Sequence, residues 1–401
     1  MVSSGLADKL SVRDLEINGK KILMRVDFNV PLDKDGAIGD DSRIALTLPS
    51  IQYILTRGGR LILMSHLGRP KGTANSKLSL RPCRERLGLL LGQEVKFSPN
   101  CIGEKVVELT DSLRPGEVLL LENLRFHVGE EDPKKNPSFA KALASLGDAY
   151  VDDAFGAAHR SHASTVTITE YFPKNCATGL LMEQEIRSLS KGVFNPKRPF
   201  YAIIGGAKIG SKIGVFDALR KKVDTIFIGG GMAFTFLKAT GVPIGDSICD
   251  DEKLDESKQL LENCDKQEIQ VRLPVDIVIT DETETQIIDI KEGIPVGWKG
   301  MDIGPRTVET WSEELKKGAT IFWNGPMGVF EQAPFSHGTD RLAQNLSEMD
   351  GEVIVGGGDS IAAINRLRLQ KSFTHLSSGG GASLEFIEHG TLPGIEALTN
   401  K

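Results

Sequence analysis

Short apolar runs alternate with amphipathic stretches along the whole chain. The runs are nearly continuous in apolar residues, which is typical of strands covered on both faces, as in parallel sheets. They lie at 21–30, 60–68, 117–126, 149–156, 200–206, 225–231, 276–280, 320–326, 353–360 and 374–381. Between them, stretches such as 211–223 place apolar side chains on one side and predict helices. Strands that alternate with helices predict an α/β fold with doubly wound sheets.

A predicted helix in the middle of the chain divides it. Pro173, Pro196 and Pro199 flank residues 177–195, whose middle has the pattern of one helix. A chain of 401 residues suits two or three domains, and the strands on either side of this helix suggest two of similar size. The predicted parts are an N-terminal α/β domain over 1–178, a connecting helix and hinge over 179–198, and a C-terminal α/β domain over 199–388.

Charge and cysteine content restrict the binding partners and the cellular compartment that we expect for this protein. The net charge of −6 and the isoelectric point near 5.8 argue against attraction of the whole protein to nucleic acid or to an anionic membrane. The five cysteines are scattered without metal-ligand spacing, which is typical of free thiols in a reducing compartment. No signal-like or membrane-spanning apolar stretch stands out. We therefore expect a cytoplasmic protein, with a processed organellar form left open, and any anion site must be a local basic patch.

Basic side chains follow the predicted strands of the first half. Ligands in open α/β sheets bind beyond the carboxyl ends of the strands. Guanidinium groups suit phosphate and carboxylate because they donate paired hydrogen bonds. A single exposed arginine is common, but several at successive strand ends predict a site for a small, doubly anionic molecule. The residues at these ends are Asp27, Asn29, His66, Arg69, Arg125, His159, Arg160 and His162.

Glycines occupy the corresponding positions of the second half. Glycine loops before helices expose backbone N–H groups and let a phosphate approach closely, so a series of them favours a nucleotide or another polyphosphate. The loops lie at 205–206, 229–231, 325, 356–358 and 379–381. Asp359 at a helix start is either an N-cap or, beside a polyphosphate, a ligand of Mg²⁺.

Residues 203–212 nearly match the phosphate-binding pattern G-x-x-x-x-G-K-[ST]. The glycines have the right spacing, but Ser211 and Lys212 stand in the reverse order. Lys208 and Lys212 are one helical turn apart, so both can face an anion at the helix N-terminus. Two other kinds of site are disfavoured. His159 and His162 have no further Cys or His nearby for a transition metal, and no G-x-S-x-G supports a nucleophilic triad.

Together these motifs resemble the phosphoglycerate kinase family, from 25–31 to 392–394. The resemblance implies two Rossmann-like domains, each a mainly parallel sheet flanked by helices, joined by a hinge helix, with a tail over 389–401 that packs back on the N-terminal domain. It implies reversible phosphoryl transfer between 1,3-bisphosphoglycerate and ADP with Mg²⁺, direct and in line after domain closure, by a monomer with no nucleic-acid or membrane partner. The supporting stretches include "RVDFNVP" (25–31), "SHLGRPKG" (65–72), "DDAFGAAHRSH" (152–162), "GGAKIGSKI" (205–213), "WNGPMGVFE" (323–331), "GGGDS" (356–360) and "SSGGGASLE" (377–385).

The resemblance also implies site residues. The substrate-binding residues would be Asp27, Phe28, Asn29, Arg43, His66, Leu67, Gly68, Arg69, Arg125 and Arg160. The nucleotide-binding residues would be Gly206, Ala207, Lys208, Lys212, Gly229, Gly230, Gly300, Asn324, Pro326, Gly328, Val329, Glu331, Gly356, Gly357, Gly358, Asp359 and Ser360. Asp359 would ligate Mg²⁺, and the catalytic groups would be Arg43, Lys208, Gly357 and Gly380.

Two other functions are open at this point. A dinucleotide-dependent dehydrogenase would also have two α/β domains, but it should show G-x-G-x-x-G after the first strand, where this chain has "DFNVP". A catalytically inactive relative that acts as a binding module should lack a cation at the chemical step. Arg43, Lys208, Lys212 and Asp359 are all present, which favours an active enzyme.

Overall fold

The computed structural model describes residues 9–210 and 212–401. They form two compact units. The N-terminal unit reaches to Arg187 and includes Gly390–Lys401, and the C-terminal unit is Ser188–His389. Each unit is built on a six-stranded sheet whose strands all pair in parallel. The predicted fold class, with two mainly parallel sheets flanked by helices, is therefore confirmed.

The sheet of the N-terminal unit has the order β3-β4-β2-β1-β5-β6. Its central strand β1 is covered on both faces, because Ile22 and Met24 belong to one apolar core cluster and Leu23 to another. This is why the strand is a continuous apolar run in the sequence. The strands are β1 (Lys21–Arg25), β2 (Arg60–Met64), β3 (Val95–Phe97), β4 (Val118–Leu120), β5 (Ala149–Asp152) and β6 (Cys176–Thr178).

The helices of this unit connect successive parallel strands. They are α1 (Ser42–Leu55), α2 (Arg81–Leu91), α3 (Glu104–Asp111), α4 (Val128–Glu131) and α5 (Ser138–Ala144). Shorter 3-10 turns lie at Val12–Asp14, Ser76–Leu78, Leu124–Phe126, Phe155–Ala157 and Thr167–Tyr171. After β6, helix α6 (Leu180–Leu189) contains the boundary between the units and continues as a π-helical turn, Ser190–Phe194.

The main sheet of the C-terminal unit has the order β15-β14-β13-β7-β8-β9. A second, antiparallel sheet has the order β11-β10-β12. The strands are β7 (Phe200–Ile204), β8 (Thr225–Ile228), β9 (Gln270–Arg272), β10 (Asp276–Thr280), β11 (Thr285–Asp289), β12 (Lys299–Ile303), β13 (Thr320–Asn324), β14 (Glu352–Gly356) and β15 (His375–Leu376).

Helices follow most strands of this unit. They are α7 (Ile213–Arg220), α8 (Met232–Ala239), α9 (Leu254–Lys266), α10 (Pro305–Leu315), α11 (His337–Ser347), α12 (Gly358–Arg366) and α13 (Gly381–His389). The 3-10 turns are Asp251–Lys253, Ile290–Glu292, Ala333–Phe335 and Gln370–Ser372. Within 9–210 and 212–401, no helix has the length and apolar character needed to cross a membrane.

The last residues return to the N-terminal unit. Helix α14 (Pro393–Glu396) begins one residue after the buried Leu392, and the Gly394 N–H donates to the Ala158 carbonyl at 2.8 Å. Farther on, the Thr399 N–H donates to the Cys176 carbonyl at 3.1 Å, and Leu398 joins the apolar core. The tail is thus part of the core of a unit whose other residues lie far away in the sequence.

Candidate active site

A basic site lies at the carboxyl ends of β1 and β2. We use this name for Arg25, Asp27, Arg43, His66, Arg125, Arg160 and His162. Arg25 ends β1 with its side chain fully buried, and its Nη2 lies 3.0 Å from His66 Nδ1. His66 Nδ1 is also 3.9 Å from Asp27 Oδ1. The other carboxylate oxygen of Asp27 pairs with Arg43, which lies in the first turn of α1. Strand ends and a helix start therefore bring an aspartate, a histidine and two arginines together.

The charges of this site depend on burial. Burial disfavours the Asp27 anion, but the positive charges of the neighbouring Arg43 and Arg25 outweigh this effect, so the pKa of Asp27 is lowered. Burial also lowers the pKa of His66 well below its usual value, and the charges of Arg25, Arg125 and Arg43 act in the same direction. His66 is therefore a neutral imidazole, and the arginines supply the positive charge.

Hydrogen bonds and an ion pair connect other residues predicted to bind the substrate to this site. The Asn29 amide oxygen accepts from the Gly68 N–H at 2.9 Å, and Arg125 Nη1 donates to the Gly68 carbonyl at 2.8 Å. Arg125 also pairs with Glu131 through Nε at 3.1 Å. Phe28 is buried, with its N–H donating to Ser65 Oγ at 2.8 Å.

Asn123 fixes the loop that carries Leu67. Its side-chain oxygen accepts from the Leu67 N–H at 3.2 Å, and its Nδ2 donates to the Leu67 carbonyl at 2.7 Å. Gly68 has a positive φ of 60°, and a Cβ there would lie 2.8 Å from Leu78. The loop after β2 is therefore held in one conformation, which presets the backbone beside His66.

Arg160 and His162 follow β5. Arg160 is half-buried. Burial lowers the pKa of His162 to about 3, helped by the charges of Arg125, Arg25 and Arg160. Burial is the largest cause of this shift, and the arginine charges add a positive potential that a bound anion would relieve. Arg69 is exposed.

Sequence reasoning missed three residues of this region: Arg25, Glu130 and Ser164. Arg25 could have been found, because it stands two residues before Asp27 at the same strand end. Glu130 and Ser164 carried no signal, since they reach Arg25 only through tertiary packing. Ser164 Oγ accepts from Arg25 Nε at 2.9 Å and lies 2.7 Å from Glu130 Oε1.

A glycine-lined cavity of ≈ 380 Å³ lies in the C-terminal unit. Predicted residues that line it are Gly206, Ala207, Gly230, Gly300, Pro326, Gly328, Val329, Glu331 and Asp359. Unpredicted residues that line it include Phe234, Ile248, Asp302 and Met327. One part of the wall is thus apolar, as a flat aromatic ligand requires, and another part is backbone and carboxylate.

Three loops pack tightly to form this cavity. The Gly206 N–H donates to the Pro326 carbonyl at 2.9 Å, and the Gly230 N–H donates to the Met327 carbonyl at 3.1 Å. Gly230 has φ 66°, and a Cβ there would lie 2.6 Å from the Gly206 nitrogen. At Gly300 a Cβ would meet the Phe234 ring at 2.1 Å. Glycine is therefore required at these positions because backbone or ring atoms occupy the space of a side chain.

Lys212 reaches back over the loop after β7. Its ammonium donates to the Gly205 carbonyl at 2.5 Å and lies 3.5 Å from the Asn324 carbonyl. Burial lowers the pKa of Lys212 to about 8, although the charge of Asp359 opposes this. Lys208 is exposed in the same loop. Lys212 is therefore a cation whose charge is only partly compensated, as a phosphate site needs.

The loop after β14 carries other predicted residues. Gly357 has φ 89°, and a Cβ there would lie 2.9 Å from Asn324 Nδ2, a buried amide nitrogen without a hydrogen-bond partner among the described residues. Ser360 is buried and accepts from the Gly325 N–H at 2.7 Å, so it ties two loops together. Cβ atoms at Gly358 and Gly380 would meet open space. The remaining predicted residues, Gly229 and Gly356, pack against Met327 and Asn324.

The residues present suit Mg²⁺ bound together with phosphates. No group of three or more His, Cys, Asp or Glu within the described ranges could hold a metal ion alone. Asp359 is exposed in the first turn of α12 and lines the cavity. Mg²⁺ in such sites uses one or two carboxylates and takes its other ligands from water and substrate phosphates. A single carboxylate beside a cationic loop fits that pattern.

Comparisons with known proteins identify the family of this chain. The family description that matches residues 12–390 is phosphoglycerate kinase. The phosphoglycerate kinases of Koribacter versatilis and Moorella thermoacetica are 52% and 48% identical to this chain, and the matches cover 98% of it and 100% of each relative. The Coxiella burnetii phosphoglycerate kinase structure has a TM-score of 0.86 at 37% identity, covering 97% of this chain and 98% of that one. The Pyrococcus horikoshii structure has 0.85 at 32%, with the same coverage. The chain belongs to the phosphoglycerate kinase family.

Proposed function

We infer that the chain performs the reaction of its family, the reversible transfer of the acyl phosphate of 1,3-bisphosphoglycerate to ADP, which gives 3-phosphoglycerate and ATP. It is a phosphotransferase whose acceptor in the reverse direction is a carboxyl group. The observation that carries this function is the family match over residues 12–390. Family membership also decides against the dehydrogenase alternative.

We propose that the basic site holds the glycerate ligand. Asp27 and Asn29 would contact its hydroxyl and carboxylate region, while His66, Arg69, Arg125 and Arg160 would hold the phosphate that is not transferred. The four arginines of this site outnumber the three nearby carboxylates, those of Asp27, Glu130 and Glu131, and the remaining positive charge supports this assignment because a phosphate would neutralise it. Phe28, Leu67 and Gly68 would shape the backbone around it.

We propose that the glycine-lined cavity holds ADP or ATP. Phe234 and Ile248 provide an apolar slot for the base, and Glu331 is placed on the cavity wall for the ribose. The loops at Gly206 and Gly230 and the cation of Lys212 would face the phosphates. Asp359 would hold Mg²⁺, which would neutralise part of the charge of the nucleotide phosphates.

The transfer step itself needs placement and charge neutralisation more than covalent chemistry. The acceptor is already a carboxylate, so no general base has to remove a proton. Arg43 and Lys208 would donate to oxygens of the moving phosphoryl group, together with N–H groups near Gly357 and Gly380. Asp27 pairs with Arg43 and so restricts the guanidinium to one position. The expected domain closure stays a prediction, and a radius of gyration that did not fall with both substrates bound would contradict it.

A coupled assay that follows ATP consumption with 3-phosphoglycerate tests the function. The unmodified protein should turn over, and Arg43→Ala should lower kcat by about 100- to 1,000-fold, as loss of a donor to transition-state charge does. Its affinity for ADP should stay near normal. Arg57→Ala is the matched control, since Arg57 follows the same helix but is exposed and stacks on Tyr53. A lack of turnover by the unmodified protein would refute the proposed function. Weak ADP binding by Arg43→Ala would refute the role proposed for Arg43.

A further inference from the structure

A buried chain of hydrogen bonds lies behind the basic site. Ser164 is fully buried, and its Oγ is 2.9 Å from Arg25 Nε and 2.7 Å from Glu130 Oε1. The Ser164 N–H donates to the other carboxyl oxygen of Glu130 at 3.1 Å. At the opposite end, Arg25 Nη2 lies 3.0 Å from His66 Nδ1. Glu130, Ser164, Arg25 and His66 thus form one connected series.

The direction of every bond in this series follows from Arg25. A guanidinium can only donate, so Ser164 Oγ accepts from Arg25 Nε and its own proton is left for Glu130. Both oxygens of Glu130 then accept, as a carboxylate requires. By the same rule, His66 Nδ1 must accept from Arg25, and the single proton of the neutral ring must sit on Nε2.

The position of that proton matters because His66 has another partner within reach. Asp27 Oδ1 is 3.9 Å from Nδ1 and would favour a proton there if Arg25 moved away. Burial and the neighbouring arginines keep the pKa of His66 low, so the ring has only one proton to place. With the proton on Nε2, the opposite edge of the ring offers an N–H to an anion. With the proton on Nδ1, that edge would offer a lone pair and repel it.

We propose that Ser164 and Glu130 are positioning residues for the acid ligand: they hold Arg25 so that His66 keeps its proton on Nε2 and donates it to the bound phosphate. This inference rests on the proposed function of the basic site. Neither residue touches the ligand. Ser164 orients the guanidinium through Nε, and Glu130 supplies the buried negative charge that balances it.

Ser164→Ala tests the proposal by two measurements. The KM for 3-phosphoglycerate should rise about tenfold, as expected when a hydrogen bond to a charged group is lost, while the KM for ATP stays unchanged. In ¹⁵N NMR spectra of the labelled protein, the His66 ring should change from the Nε2–H tautomer toward Nδ1–H. The His66 signal is assigned by its loss in His66→Gln. A purely structural role for Ser164 would leave that tautomer unchanged.

Two variants serve as controls. Tyr150→Phe removes another buried bond to the same residue, from the Tyr150 hydroxyl to the Ser164 carbonyl at 2.7 Å, without touching the series, and it should leave the KM and the tautomer as in the unmodified protein. Ser164→Thr keeps a hydroxyl and should restore the Nε2–H signal. Should Ser164→Ala not fold, Glu130→Gln takes its place, with the same expected changes.

The outcomes separate this proposal from the proposed function. An unmodified protein that does not turn over 3-phosphoglycerate refutes the function. If it does turn over, a wild-type KM or tautomer in Ser164→Ala, or equal effects in Tyr150→Phe, refutes the positioning role alone. A rise in KM for 3-phosphoglycerate together with the tautomer change, absent from Tyr150→Phe, supports it.

Discussion

Burial sets the charge of the basic side chains in both sites. In the N-terminal unit it keeps His66 and His162 neutral, so the arginines carry the charge at all ordinary pH values. In the C-terminal unit it brings the pKa of Lys212 to about 8, close to the pH at which enzymes are assayed. The two sites should therefore respond differently to pH: anion binding by arginines is insensitive, whereas binding by Lys212 is not.

We expect nucleotide affinity to fall as the pH rises through about 8. Below that pH Lys212 in the free protein is protonated and attracts the phosphates, and above it the charge is lost. The dissociation constant of ADP, measured by calorimetry between pH 7 and 9.5, should rise by up to about tenfold per pH unit above the break. In Lys212→Met the constant should be high throughout, without the break. Adenosine, which has no phosphate, should show none in either protein, and a break in its binding would assign the titration to another group.

Removal of the Asp359 carboxylate should weaken the binding of Mg²⁺ to the enzyme. In Asp359→Asn the Mg²⁺ concentration for half-maximal rate should rise by about tenfold or more, since the metal loses its protein carboxylate. Asp255→Asn is the matched control, because Asp255 is likewise an exposed acid in the first turn of a helix in the same unit, α9. Equal Mg²⁺ curves for both variants would refute Asp359 as a ligand of Mg²⁺.

For individual site residues, the sequence predicts those that directly follow strands and misses those that reach the site through tertiary packing. Asp27, Asn29 and His66 could be placed because parallel strand ends meet at one edge of the sheet. Glu130 and Ser164 could not, because one lies in α4 and the other in a loop, and only the fold brings them to Arg25. Phe234 and Asp302 likewise line the cavity from α8 and β12 without a local motif.

Glycine loops determine the shape of the C-terminal unit at the level of elements. The loops after β7, β8 and β13 approach each other so closely that carbonyl and amide groups of one bond those of another, at Gly206, Gly230 and Met327. The positive φ of Gly230 is a second reason, besides the lack of space for a side chain, why glycine is required there. The loops thus form a preset wall of the glycine-lined cavity, which a single methyl group should disturb.

The variants Gly230→Ala and Gly241→Ala separate the effect of a crowded Cβ position from the effect of a positive φ. Both glycines have positive φ, at 66° and 90°, but a Cβ at Gly241 meets nothing within 4 Å, whereas at Gly230 it lies 2.6 Å from the Gly206 nitrogen. Gly241→Ala should lower the free energy of unfolding by about 1–2 kcal/mol and leave ADP affinity unchanged. Gly230→Ala should cost about 1–3 kcal/mol more and weaken ADP binding. Urea denaturation and calorimetry measure both, and equal losses would show that only φ matters.

Strand prediction worked where both faces are apolar and failed where they are not. The run at 276–280 matches β10 in its bounds, although it lies in the antiparallel sheet rather than among parallel strands. Its partner β11 is mostly exposed and has no apolar run, and β3, β6, β9 and β12 mix polar and apolar residues, so none of these five strands was predicted. Several predicted runs, such as 21–30, extended past the strand because site residues follow directly.

The two units of the molecule are not two consecutive halves of the sequence, because the N-terminal unit also contains the last residues of the chain. The C-terminal tail belongs to the N-terminal unit, where Leu392, Ile395 and Leu398 are buried and the Leu10 N–H donates to the Thr399 carbonyl at 2.9 Å. The N-terminal unit therefore becomes complete only when the last residues are in place. Its stability should depend on the tail, while the stability of the C-terminal unit should not.

Leu398→Ala should destabilise the N-terminal unit alone. Truncation of a buried leucine costs about 2–5 kcal/mol, and Leu398 belongs to the core cluster of that unit that also contains Cys176 and Leu146. Hydrogen exchange followed by mass spectrometry should show faster exchange in β1, β5 and β6. All three tryptophans, Trp298, Trp311 and Trp323, lie in the other unit, so their fluorescence should follow an unchanged unfolding transition.

Leu346→Ala is the matched control because Leu346 is equally buried, but in the core of the C-terminal unit around Trp311 and Trp323. It should shift the tryptophan transition and leave exchange in β1, β5 and β6 as it was. The two variants should also differ in binding: Leu398→Ala should weaken 3-phosphoglycerate more than ADP, and Leu346→Ala the reverse. If Leu398→Ala shifted the tryptophan transition as much as Leu346→Ala does, the two units would unfold as one, and a tail that stabilises only its own unit would be excluded.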